Sequence, residues 1–228
     1  MFDALNIQNY GQYYVVREDL FEGGTKKRAL MAWLPSLNAT QFSYTGSVFG
    51  YGAYALALAC HELGYKSYIF IGKNTYEPKW AQHINDIAHM TWCAPSSLAQ
   101  LQMQAKASFP SAYFLEAGFT YTAFESALVD VFKTHTPMGK RVWTSAVSGT
   151  VARAMSIAWP DKEIHVVCCA KNHGVLPDNV TTYHAPEKYH KAAKILPPYP
   201  SAIHTDAKIW QFVEQYGQKG DVVWNLAA

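Results

Sequence analysis

Charge is scarce in this chain. Of its 228 residues only 16% are Asp, Glu, Lys or Arg, and they leave a formal net charge of +2. So small a surplus supplies no basic stripe able to neutralise a phosphate backbone, and nucleic acid is excluded as the expected partner. Long apolar runs are missing too. No window approaches the ~18 uninterrupted apolar residues of a membrane-spanning helix, so no membrane association is expected. The opening Met1-Phe2-Asp3-Ala4 lacks the charged-then-apolar layout of a secretory signal. Cysteine is limited to Cys60, Cys93, Cys168 and Cys169, without metal-ligand spacing. They read as buried thiols of a reducing cytoplasm. The nine histidines are scattered and none forms a His-x-x-x-His pair, so no metal site is expected. No Gly-x-Gly-x-x-Gly follows a predicted strand and no Gly-Lys-Ser/Thr loop occurs, which removes the usual nucleotide cradles.

What is present is core material. Half of the residues are hydrophobic, enough for one large domain or two small lobes that share a cleft. Short apolar runs at Tyr68–Ile71, Tyr113–Leu115, Val142–Thr144, Ile164–Cys169 and Val222–Trp224 predict strands. Between them helical spacing covers Gly52–Leu63, Pro78–Ala88, Ser97–Ala107, Phe124–Lys133, Val151–Ala158 and Asp206–Tyr216. Such alternation predicts an α/β fold with an open, mostly parallel sheet and helices on both faces. The segment Asn172–Pro200, rich in His, Pro, Tyr and Lys, reads as a long surface connection, either a lid or an oligomer contact.

Three stretches have the composition of a reactive site. In Val16–Leu30, two glycines precede Thr25-Lys26-Lys27-Arg28 and an apolar, helix-compatible run. A lysine held at such a helix start, partly desolvated and beside other cations, gives up its proton more readily and becomes a nucleophile. The same string also suits a solvated basic turn. In Tyr44–Ala59, a glycine-broken loop feeds an Ala-rich helix whose free N–H groups around Gly50, Tyr51, Gly52 and Ala53 favour a carboxylate. Close helix–sheet packing selects the same small residues. In Arg141–Arg153, a strand runs into Ser148-Gly149-Thr150 and then a helix, a geometry that cradles phosphate. It is equally a common helix N-cap.

Taken together these segments resemble the pyridoxal-phosphate enzymes of fold type II, the tryptophan synthase β-like class. The nearest branch is 1-aminocyclopropane-1-carboxylate deaminase and D-cysteine desulfhydrase. The family pattern of Arg-Glu-Asp, a short gap, Gly-Gly-Asn-Lys, one residue and Arg is matched by Arg17-Glu18-Asp19, Gly23, Gly24, Lys26 and Arg28. Thr25 stands where the family has asparagine. The resemblance implies that Lys26, and not Lys27, is the Schiff-base lysine of pyridoxal 5′-phosphate. It implies phosphate on Ser148, Gly149 and Thr150, and a substrate carboxylate near Gly50, Tyr51, Gly52 and Ala53. Tyr51 replaces a family asparagine that contacts the cofactor, and could instead stack on the ring; Tyr51 and Tyr54 are candidate acid/base groups. His204-Thr205-Asp206-Ala207-Lys208 is similar to the family's Tyr-Thr-x-Lys-Ala segment. Asn225 falls where the branch pairs a group with the pyridine nitrogen, although a buried terminal strand explains it as well.

The resemblance thus implies one unit over residues 1–228 with a small lobe at about 45–120, shortened relative to the family after Ala170. The activity it implies is elimination or deamination of a small amino acid, by a cytoplasmic homodimer. The alternative is an inactive relative that serves as a binding scaffold, with Tyr183, Tyr189, Tyr199 and Trp210 as contacts.

Overall fold

The computed structural model describes residues 5–171 and 173–228. Met1–Ala4 and Asn172, which bear on the signal-sequence reading and on the start of the 172–200 connection, lie outside them. In chain order the strands are β1 (Ile7–Tyr10), β2 (Tyr13–Arg17), β3 (Gln41–Gly46), β4 (Lys66–Gly72), β5 (His89–Cys93), β6 (Tyr113–Leu115), β7 (Arg141–Ala146), β8 (Glu163–Cys168), β9 (Val180–His184) and β10 (Val222–Asn225). The helices are α1 (Gly24–Trp33), α2 (Gly52–Glu62), α3 (Lys79–His83), α4 (Leu98–Ser108), α5 (Thr122–Lys133), α6 (Thr150–Ala158) and α7 (Trp210–Tyr216).

The α/β class and the parallel pairing are as the sequence leads one to expect, but the strands divide into two sheets. The larger runs β1-β2-β10-β7-β8-β9 and the smaller β5-β4-β3-β6. Every ladder is parallel except β1 with β2. Strand β7 is buried along its whole length and β3 from Phe42 onward, as befits parallel strands covered on both faces. Helix α5 buries Phe124, Leu128, Val131 and Phe132, one face at helical spacing, and packs against α1 and α6. Phe132, Trp159 and Trp224 meet with ring centroids 5.1–5.4 Å apart. Their indole groups are not wasted on apolar surroundings: Trp159 Nε1 donates to the Phe132 carbonyl at 3.1 Å and Trp224 Nε1 to Thr25 Oγ1 at 3.2 Å.

Several elements differ from the sequence reading. The helix expected over Pro78–Ala88 is confined to α3, because His89–Cys93 pairs with the edge of β4 as β5. The helix expected over Asp206–Tyr216 begins as a 3-10 turn, Asp206–Ile209, before α7. The connection from 173 to 200 keeps mostly to the surface, as expected, but is not irregular throughout. It contains β9, paired with β8, and buries Glu187, Ala193 and Tyr199. The buried Lys208 amine ties it down by donating to the carbonyls of Glu187 and Lys188 at 3.4 and 3.0 Å.

One glycine holds the C-terminal strand against the start of α1. Gly24 has φ +61°, and a Cβ there would collide with the Leu226 carbonyl. Gly64 has a similar φ of +70° with open space around it. Gly64→Ala is therefore expected to cost only the backbone strain of about 1 kcal/mol, and Gly24→Ala about 3 kcal/mol or more, read by chemical denaturation. Equal losses would mean that β10 does not need this approach.

Candidate active site

The string Arg17–Arg28 resolves into separate electrostatic contacts. Arg17 Nε and Nη2 donate to the two Asp19 carboxylate oxygens at 2.8 and 2.7 Å. The buried Glu18 carboxylate accepts from Arg28 Nε at 3.0 and 3.2 Å, from Arg28 Nη2 at 3.0 Å and from Thr25 Oγ1 at 2.9 Å. The Arg28 guanidinium also lies 3.9 Å over the Phe21 ring. Lys27 pairs with Glu62 on α2. With both neighbours engaged, Lys26 alone of the three cations reaches the cavity between the sheets. Burial lowers its affinity for a proton, and the charge of Asp206 opposes that shift.

The cavity has a volume of about 630 Å³. It lies beyond the C-terminal ends of β3, β4, β7 and β10, where parallel sheets bind ligands. Ser148, Gly149 and Thr150 form one corner. Gly149, at φ +79°, precedes the first turn of α6, whose N–H groups are free for an anion. Ser148 Oγ and Thr150 Oγ1 lie 3.1 Å apart, and Thr150 Oγ1 reaches the Gly118 carbonyl at 3.3 Å. Arg153 brings positive charge to the corner. Its Nη2 donates to Thr150 Oγ1 and its Nη1 to the Ser148 carbonyl, each at 3.3 Å, while Nε pairs with Glu125 at 2.7 Å.

Asp206 is the only carboxylate in the wall among the described residues. Burial pushes its carboxyl up to about 7, against the Ser145 hydroxyl that donates to Oδ1 at 2.6 Å and the Lys26 charge. Tyr44, Tyr51 and Tyr189 also line the wall, with Lys73 and Asn74 beyond β4. Burial raises all three phenols, Tyr189 to about 12, so they stay protonated and donate.

Seven of the residues singled out from sequence line this one cavity: Lys26, Gly50, Tyr51, Gly52, Ser148, Gly149 and Thr150. Ala53 does not; it is buried in the apolar core beneath α2. Tyr54 also lies off the wall, 6.4 Å from the Tyr51 ring and 6.3 Å from His83. Asn225 is not in the wall either. Its amide donates to Asp19 at 2.6 Å and to the Pro200 carbonyl at 2.9 Å, and it accepts from Ser201 at 2.7 Å. An amide so fully used is a structural tie between β10 and the loop before α1. Asp206, Ser145 and Tyr44 were not selected from sequence; a Thr-Asp pair opening an apolar helix was the one trace of Asp206. The four cysteines are buried free thiols, as expected. Cys168, His173 and His184, scattered in the sequence, lie together.

Solved structures share this architecture. A 1-aminocyclopropane-1-carboxylate (ACC) deaminase homologue superposes with a TM-score of 0.74 at 14% identity, covering 94% of this chain and 84% of that one. The fold is pyridoxal-phosphate fold type II. A hydrogen sulfide-producing enzyme of Fusobacterium nucleatum gives 0.62 at 13% identity, over 98% of this chain and 95% of the other. A pyridoxal 5′-phosphate-dependent aspartate racemase gives 0.63 at 13% identity, over 98% and 89%. No protein-family model and no curated protein sequence matches the chain. No helix among the described residues is long and apolar enough to cross a membrane.

The raised Asp206 carboxyl has a thermodynamic consequence. The folded chain keeps this proton to about pH 7, whereas an unfolded aspartate releases it near 3.8. Raising the pH through that window therefore favours unfolding. Asp206→Asn removes the loss. Relative to the parent, its stability is expected to improve by roughly 2–4 kcal/mol between about pH 4 and about pH 8, measured by denaturant melts across pH. A difference that stays flat would place the carboxylate in a solvated setting instead.

Proposed function

We propose that this protein is a pyridoxal-phosphate-dependent lyase or deaminase that acts on a small amino acid. The observation that carries the reading is the lysine amine of Lys26, its proton affinity lowered by burial, in the same cavity as the Ser148–Gly149–Thr150 corner. The donor set fits the cofactor at both ends. An amine that sheds its proton can attack an aldehyde, and a helix N-terminus with two hydroxyls and a nearby guanidinium can hold a dianionic phosphate. When bound, the cofactor withdraws electrons from the amino acid's α-carbon.

The chain's own residues do the rest. Lys26 would hold the aldehyde carbon of the bound cofactor, and its amine is the base that would take a proton from the substrate's α- or β-carbon. Asp206 shares a proton balance with Lys26 and keeps the amine from being purely apolar in its setting. The N–H groups of Tyr51 and Gly52, at the start of α2, hold the substrate carboxylate, while the Gly50 N–H closes the turn on the Ser47 carbonyl. Gly52 has no room for a side chain, because a Cβ there would collide with the Tyr44 hydroxyl. Tyr51 stacks against bound aromatic surface or passes a proton, its phenol being kept neutral by burial. The enclosing walls exclude water from the reacting carbon.

The test uses the purified protein and added pyridoxal 5′-phosphate. A visible absorption band of the lysine-bound cofactor is expected in the parent and in Lys27→Ala, and is expected to vanish in Lys26→Ala. With a panel of small D- and L-amino acids, release of ammonia, keto acid or sulfide is expected to fall at least ~10²-fold in Lys26→Ala. A folded protein that never develops the band, or a band indifferent to Lys26, would favour the scaffold alternative.

A further inference from the structure

Away from the cavity, at the C-terminal edge of the larger sheet, three potential ligands converge. Cys168 ends β8 and His184 ends β9, and the two are direct partners in the parallel ladder, so their side chains emerge on the same face. The connection between these strands brings His173 to the same place. The sulfur and one nitrogen from each imidazole all lie within 4.8 Å of one another. The two imidazole rings are 5.8 Å apart between centroids. The Cys168 side chain is 3% exposed and its thiol is free. His173 Nδ1 is shielded from solvent and has no hydrogen-bond partner, which leaves a buried polar atom without compensation. His184 is exposed and gives the cluster an opening to solvent.

We propose that Cys168, His173 and His184 form a zinc site. A thiolate with two imidazoles is a borderline-soft donor set, suited to Zn²⁺ and poorly suited to Mg²⁺ or Ca²⁺, which take oxygen ligands. Zinc bonds of about 2.3 Å to sulfur and 2.0–2.1 Å to nitrogen put tetrahedral donors roughly 3.3–3.6 Å apart. From 4.8 Å or less, the cluster closes by about an ångström of side-chain rotation. Binding exchanges waters of the hydrated ion for one Zn–S and two Zn–N bonds, and the Cys168 thiol releases its proton to solvent. Three protein ligands leave the fourth position to water. No oxidation or reduction is involved.

The site is separate from the proposed cofactor cavity, since none of the three residues lines that wall. It is connected to it through the backbone: Gly149 has no Cβ because the His173 carbonyl occupies that space. A metal that fixes His173 therefore also fixes the strap lying against the phosphate corner.

Zinc alone, titrated into metal-stripped full-length protein against a chromophoric chelator, is expected to bind at one equivalent per chain and to raise Tm. Cobalt(II) is expected to give a thiolate charge-transfer band, which requires a cysteine ligand. Because Cys168 is buried and its replacement tests folding as well, the deciding variant is the exposed His184→Gln. It is expected to keep the parent's melting temperature without metal and to weaken zinc binding by at least about 10–100-fold. Zinc binding with no thiolate band, or equal binding by parent and His184→Gln, overturns the proposal. Neither result depends on whether the protein binds pyridoxal phosphate.

Discussion

The site depends on one buried ion pair, Glu18 with Arg28. Burying a carboxylate and a guanidinium is costly, and it is tolerated here because the geometry satisfies both groups. Glu18 takes bonds from two Arg28 nitrogens and from Thr25, and Arg28 rests on the Phe21 ring. What the pair contributes is direction. Successive residues of a helix are turned by about 100°, so pinning Thr25 and Arg28 to one carboxylate fixes where the two residues between them point. Lys27 is sent to Glu62 on α2, and Lys26 is left facing the cavity. Three adjacent cations, similar in sequence, thus acquire three different environments.

The last strand of the chain completes that arrangement. Trp224 donates to Thr25, Asn225 donates to Asp19, and Leu226 lies where a side chain of Gly24 would be. Residues separated by some 200 positions are therefore interlocked around a single loop. Arg17-Glu18-Asp19 is the common thread: Glu18 secures Thr25 and Arg28 on either side of the lysine, and Asp19 joins Arg17 to Asn225. This explains why the tie through Asn225 is spent on architecture and leaves no amide for a ligand.

The parts of the fold and site legible in the sequence are those governed by local rules. Glycines before a helix, small hydroxyls after a strand and apolar runs at strand spacing pointed to α1, α6 and β7 with their cavity-facing residues. The elements and the cluster that sequence reasoning missed are non-local. His89–Cys93 lacks a strong strand pattern and becomes β5 because the edge of β4 offers it hydrogen bonds. Val180–His184 sits in a His- and Pro-rich stretch and is ordered by β8 in the same way. Cys168, His173 and His184 have no recognisable spacing, because a parallel ladder and a returning loop, rather than one helix or hairpin, bring them together. Ala53 turns its side chain into the core, since a helix N-terminus exposes backbone N–H groups rather than side chains.

Asp206 shows why a cavity of this kind cannot be apolar throughout. Burial lowers the proton affinity of Lys26 and raises that of Asp206, so the two shifts bring amine and carboxyl closer to a common range. Without the carboxylate, desolvation would act unopposed on the lysine; without the Ser145 hydroxyl, it would hold the carboxyl still more firmly protonated. Under the proposed function the lysine is cationic at one moment and a free base at the next, and so needs a partner whose charge can change with it. Asp206, on a turn anchored by Lys208 to the 187–188 backbone and bonded by Ser145 of β7, supplies that partner. The same desolvation that eases proton loss from the amine thus acts in the opposite sense on the acid whose charge offsets it.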